Sequence, residues 1–81
     1  MPKYYFDTSD GDRTSIDEDG IECATRQEIQ DRAIDALPDL ARDELPNGPE
    51  RLFWVKVRDE SNQNVFEASL ALASRWLIEQ D

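Results

Sequence analysis

Residues 51–58 read Arg51-Leu52-Phe53-Trp54-Val55-Lys56-Val57-Arg58, an alternation in which Phe53, Val55 and Val57 fall on one side and Leu52, Trp54, Lys56 and Arg58 on the other. Successive side chains of an extended strand point to opposite faces, so this segment is a strand with one face in a core. Downstream, Asp59 to Asn64 is a polar turn. Val65 to Leu72 then alternates again, with Phe66, Ala68, Leu70 and Leu72 inward and Glu67 and Ser69 outward, which predicts an antiparallel hairpin. Residues 73–81, with Trp76, Leu77 and Ile78, either extend that strand or form a terminal helical turn.

Upstream of the strand, Pro46-Asn47-Gly48-Pro49 is the strongest break in the chain. Before it lies a helical period. Thr25 followed three residues later by Glu28 is a capping box, in which side chains satisfy backbone N–H groups that a helix start leaves unpaired. Ile29, Ala33, Ala36, Leu37, Leu40 and Ala41 recur at three- and four-residue spacing, while Asp31, Asp35, Asp39 and Asp43 lie on the roughly opposite face. Pro38 removes one backbone donor and costs about 3 kcal/mol in a helix interior. The apolar period stays in phase to Ala41, so a kinked helix is favoured over two separate ones, ending near Leu45.

At the other end, the aromatic Lys3-Tyr4-Tyr5-Phe6-Asp7 is strand-like, Asp10-Gly11 marks a turn, and Arg13 to Ile16 returns as a shorter polar strand. A one-residue slip would exchange the faces of Tyr4 and Tyr5. Asp19-Gly20 turns the chain again toward Ile21-Glu22-Cys23. The order is ββαββ, an α+β domain over residues 1–72: a small antiparallel sheet of two hairpins with one amphipathic helix on one face, followed by the extension 73–81.

Composition narrows function mainly by exclusion. One cysteine and no histidine among 81 residues exclude an internal disulfide and a Cys/His zinc site. Cys23 reads as a small half-buried residue, which fits a reducing cytoplasm. A net charge of −10, with nine scattered Lys and Arg residues, argues against nucleic acid and against an anionic membrane surface. No apolar run approaches the roughly 18 residues of a membrane span, and Met1-Pro2-Lys3 does not lead into a signal-peptide core. The expectation is an unprocessed cytoplasmic protein. There is no Gly-rich phosphate loop or serine-nucleophile elbow, so no cofactor and no enzymatic activity are expected.

Three surfaces remain as candidates. Seven of the sixteen residues from Asp7 to Glu22 are acidic, and Asp7, Asp10, Asp12, Asp17 and Asp19 supply the oxygen ligands that Ca²⁺ or Mg²⁺ takes. The spacing misses the EF-hand template, because glycine arrives at position 5 counted from Asp7 and at position 4 counted from Asp17, where that loop wants it at 6. These aspartates therefore read first as turn residues and second as a weak cation site. The stripe Asp31, Asp35, Asp39, Asp43 places like charges four apart, opposed only by the Glu28–Arg32 pair, and suits a basic protein partner or is a solvated face. Finally, Tyr5, Leu52, Trp54 and Val65 are candidates for an aromatic patch on the uncovered sheet face, where a homodimer would form.

The motifs Tyr4-Tyr5-Phe6-Asp7, Asp10-Gly11, Asp17-Glu18-Asp19-Gly20, Ala41 to Pro46 and Arg58-Asp59-Glu60 resemble, in order and spacing over residues 2–72, a family of short uncharacterised alphaproteobacterial proteins, a domain of unknown function typical of rhizobia and their relatives. The resemblance implies the fold and a bacterial cytoplasmic setting, and carries over no catalytic residue. This chain departs from it in Asn62, where glycine is usual and which the left-handed region accepts, and in Pro38. The function expected from the whole is an interaction or regulatory module, with a small divalent-cation-binding protein as the alternative.

Overall fold

The computed structural model describes residues 2–45 and 48–78. Strands β1 (Lys3–Ser9), β2 (Thr14–Ser15) and β3 (Ile21–Glu22) precede the helix α1 (Arg26–Glu44), and β4 (Glu50–Arg58) and β5 (Asn64–Ala73) follow it. All pairings are antiparallel, and the order across the sheet is β2-β1-β4-β5, with β3 also paired to β1. The α+β order of strands, helix and strands follows the sequence pattern.

The alternation of residues 51–58 becomes the centre of the core. Phe53, Val55 and Val57 are almost fully buried, opposite Leu70, Ala68 and Phe66 of β5. On the other side of β4, Val57 faces Phe6 and Val55 faces Thr8. Ile29, Ala33, Leu37 and Ala41, one per turn of α1, complete the cluster, which is the face an i, i+4 period presents. The helix lies over β4 and β5, so the inner side of β1 and β3 is less covered. Leu70 remains 42% exposed despite its inward position, because it stands on the edge strand.

Pro38 lies inside one continuous helix and not between two. Its side is solvent-exposed, so the ring displaces water instead of core side chains. The capping box forms with one change: Thr25 Oγ1 accepts from Glu28 N–H at 3.2 Å, while the Glu28 carboxylate accepts from Ala24 N–H at 2.8 Å, one residue before the cap. Glu28 is thereby turned toward the helix start, not toward Arg32. Cys23 is 1% exposed, fully buried where half-burial is predicted, and its N–H donates to the Pro2 carbonyl at 3.1 Å.

Two features depart further from the sequence reading. Ile21–Glu22 pairs with Lys3 and Tyr4 as a separate strand, so β2 and β3 share one edge of β1 with residues 16–20 between them. The last strand runs to Ala73, where Ser74 N–H donates to the Pro49 carbonyl at 2.9 Å. Residues 74–78 then continue in neither strand nor helix, and residues 79–81 of the predicted extension lie outside the described residues. At the turn between β4 and β5, Asn62 adopts φ 68°, the left-handed conformation that sequence implies.

A β-carbon without a local polar partner costs about 1–2 kcal/mol in that conformation. Asn62→Ala is therefore expected to lower the unfolding free energy by about 1 kcal/mol in urea titration, and an unchanged midpoint would contradict the turn geometry.

Candidate functional site

The acidic stretch is organised by two arginines, one near each end of β4. Arg58, on the outer face, stands opposite Tyr5 of β1. Its Nε donates to Asp7 Oδ2 at 2.8 Å and one terminal nitrogen donates to Asp7 Oδ1 at 3.2 Å and to the Asp17 carbonyl at 2.7 Å. The other terminal nitrogen donates to Asn62 Oδ1 at 3.2 Å, and the guanidinium lies 4.8 Å from the centre of the Tyr5 ring. Such a planar fork meets a carboxylate with two parallel donors and still has donors free for a carbonyl, which a lysine cannot do.

Asp17 closes the arrangement. Its Oδ2 accepts from Phe6 N–H at 3.0 Å, and its own N–H donates to Asp7 Oδ1 at 3.0 Å. Phe6 belongs to β1, at the level where the β2–β3 edge is interrupted, so the Asp17 carboxylate supplies the acceptor that a continuous strand would have offered. Its Oδ1 accepts from Asp19 and Gly20 N–H at 3.1 Å each, which fixes the following turn. Gly20 has φ 75°, and a β-carbon there would meet Lys3 and Tyr5 side-chain atoms at 2.7–2.9 Å. Only glycine satisfies both conditions.

Arg51 acts on the inner side at the other end of β4. Its Nε donates to the Asp10 carbonyl, and a terminal nitrogen lies 3.7 Å from the carboxylates of Asp10 and Asp12 and 3.5 Å from Glu44 of α1. Asp10 Oδ1 accepts from Asp12 and Arg13 N–H at 2.9 Å each. Asp59 repeats the device at the last turn, accepting from Ser61 and Gln63 N–H at 2.9 Å. Each is an aspartate that pre-forms a turn through nearby backbone donors.

Titration follows from these partners. Burial pushes the Asp7 carboxyl up, but the Arg58 hydrogen bonds and charge and the Asp17 N–H together hold it below the ordinary value of 3.8. Asp17 is lowered in the same balance, burial being outweighed by the N–H groups of Phe6, Gly20 and Asp19 and by Arg58. Asp10 and Asp59 are lowered by the N–H groups of Arg13 and Gln63 first. Burial raises the Cys23 thiol, which keeps it protonated and a poor nucleophile.

Of the sequence-predicted residues, Asp7 meets Arg58, Asp10 and Asp12 meet Arg51, Asp17 gives Arg58 its backbone carbonyl and its carboxylate to backbone N–H groups, and Asp19 is exposed. Among the described residues no group of three or more His, Cys, Asp or Glu side chains is placed to hold a metal ion. Guanidinium groups stand where a cation would bind. The aromatic patch is also changed. Trp54 is half-buried under Lys56, whose ammonium is 4.7 Å from its ring centre, and Tyr5 is engaged by Arg58. Leu52 is 49% exposed beside them. Val65, at the bulge where Arg58 pairs with Asn64, instead lines a hollow with Tyr4, Ile29 and Phe66 on the helix side.

The helix stripe stays at the surface. Asp31, Asp35, Asp39 and Asp43 are all exposed, Asp39 pairing with Arg42 at 2.9 Å and Asp31 accepting from Gln27 at 2.8 Å. Beside it, Asp35 and Asp39 overlook a shallow groove floored by Phe6, Ile21 and Ala36.

Comparison with known families matches residues 3–71 to the domain of unknown function DUF6894. The chain belongs to that family. The match begins at β1 and ends two residues before β5 does, so it spans both arginine centres and α1 while leaving out the segment after Ala73. Comparison with curated proteins and with solved structures gives no match. Sequence reasoning missed Arg58 and Arg51. The available signal was an arginine at each end of the strand whose inner face is apolar from Phe53 to Val57, set against a stretch with Arg13 as its only base.

Arg58 is a half-buried partner of the buried Asp7 carboxylate, so removing it leaves that charge without its two donors. Arg58→Met is expected to lower the midpoint of chemical denaturation clearly, and Arg58→Lys to lower it less. Because the folded carboxyls of Asp7 and Asp17 titrate below their unfolded value, their stabilisation is present above pH 3.8 and is lost as pH falls through the folded values. In Arg58→Met, Asp7 is buried without its counter-charge, and the acid-side loss should shrink; a pH profile identical to the parent would contradict the assignment.

Proposed function

We propose that this protein is a non-catalytic interaction module whose partner presents a basic, amphipathic segment to α1. The observation that carries this reading is the placement of the helix over β4 and β5. It leaves the groove beside β1 and β3 with an apolar floor of Phe6, Ile21 and Ala36 and with Asp35 and Asp39 on its rim. Around the turn, Glu22, Asp31 and Asp35 border an adjoining depression with Ile34, which is 48% exposed. Arg32 also lines both hollows, so the rim is acidic in excess and not of one sign; apolar floor and net-acidic rim together suit a segment with apolar residues on one side and Lys or Arg on the other.

The non-catalytic part rests on the carboxyls. Every aspartate with a resolved shift is lowered, whereas a general acid or base works best with a value near the operating pH. The acids of the first turns are held by arginines and backbone donors, which favours structure over chemistry for them. A cation-binding role through residues 7–22 would require the Asp7 carboxylate to leave Arg58 and the Asp17 carboxylate to leave the N–H groups of Phe6, Asp19 and Gly20.

A fluorescein-labelled lysine- and leucine-bearing amphipathic helical peptide is expected to bind at low salt and to weaken steeply as salt rises. Asp35→Lys combined with Asp39→Lys should reduce its affinity by at least about tenfold in fluorescence anisotropy. Binding that ignores both salt and charge reversal would refute this surface.

A further inference from the structure

Among the described residues, β5 has a strand partner on one side only: β4 lies against one edge and no strand lies against the other, and the strand is ten residues long. Natural edge strands are protected by being short, by charges, by proline or by a covering segment. β5 contains no proline and a single charge, Glu67. Val65 and Leu70 on it are 41% and 42% exposed. Directly after it come Trp76, Leu77 and Ile78, exposed by 73%, 85% and 72%, an apolar segment its own chain leaves uncovered.

We propose that two copies of this chain pair antiparallel, β5 against β5, and that each apolar tail covers the other copy's helix-side hollow. Three observations converge on a second copy as the occupant. First, electrostatics: the chain carries −10, yet between Ser61 and Ile78 the only charges are Glu67 and Arg75, which cancel. This is where two like-charged molecules approach with least repulsion.

Second, β5 is self-complementary. With the two-fold axis at Ser69, Ala68 meets Leu70 and Phe66 meets Leu72 on the helix side, while Glu67 meets Ala71 on the other. Apolar residues then face apolar residues, and the two Glu67 carboxylates are kept apart. The pairing is isologous, as closed two-fold interfaces require.

Third, the tail and the hollow lie at opposite ends of one strand. The hollow lined by Tyr4, Ile29, Val65 and Phe66 is at the start of β5, and the tail leaves from its end, about 30 Å away at the rise of an extended chain. A tail therefore does not reach its own hollow. In the antiparallel pair the register that aligns Ser69 with itself carries residue 76 past residue 62 of the other copy, beside that hollow.

Sedimentation of the full chain at submillimolar concentration should give twice the monomer mass. Leu70→Lys, at the edge, and Trp76→Ser, outside the packed domain and so unable to unfold it, should each shift the population to monomer, with circular dichroism unchanged. Nitroxides on Ser69→Cys in a Cys23→Ala background should show strong dipolar broadening at the axis, and on Ser15→Cys, at the far edge, none. A monomer at all concentrations, a dimer unaffected by both substitutions, or absence of coupling at residue 69 would each overturn the proposal.

Discussion

The bidentate contact of Arg58 with Asp7 is the interaction on which the first third of the chain depends. Asp7 sits on a central strand and is 8% exposed, so its charge has lost most of its water. Without a counter-charge, a carboxylate in that position would take up a proton or force the strand outward. Arg58 supplies two donors to it, and with its remaining donors reaches the Asp17 carbonyl and Asn62. One side chain from the second half of the chain thus fixes the opening strand, the loop after β2 and the last turn at once.

Asp17 explains how an edge can be broken without leaving the strand beside it unpaired. A carboxylate has two oxygens and about four acceptor sites; one oxygen serves Phe6 of the sheet and the other serves the turn at Asp19-Gly20. The loop between β2 and β3 is held by the same group that completes the ladder. Charge in this region is therefore part of the fold, whereas on α1 the exposed Asp31 and Asp39 make contacts within their own helix.

The elements were legible in the sequence because each has a local cause. The alternation at Phe53, Val55 and Val57, the period from Ile29 to Ala41 and the Thr25 cap follow from side-chain direction and backbone donors within a few residues. The acidic stretch was legible as turns for the same reason, since Asp10 and Asp17 bond to donors two and three residues on. What stayed hidden was non-local. That Arg58 stands beside Asp7 depends on β1 pairing with β4 in one register across some fifty residues of chain, and no spacing announces it. The fate of Val65 turned on a bulge between Val57 and Arg58, which strict alternation does not foresee. Ile21–Glu22 was too short to show a period, and its pairing is set by where Asp17 anchors the loop.

The two edges of the sheet are unlike, and the difference limits how large an assembly can become. On one side, β2 and β3 are two residues each and are separated by a loop rich in carboxylates, so another strand finds no continuous row of backbone groups and meets repulsion. On the other side β5 is long and nearly uncharged. A sheet that can be extended from one edge only has no head-to-tail mode of growth. Whatever joins β5 ends the sheet there, so this architecture permits a terminated complex and resists a fibre.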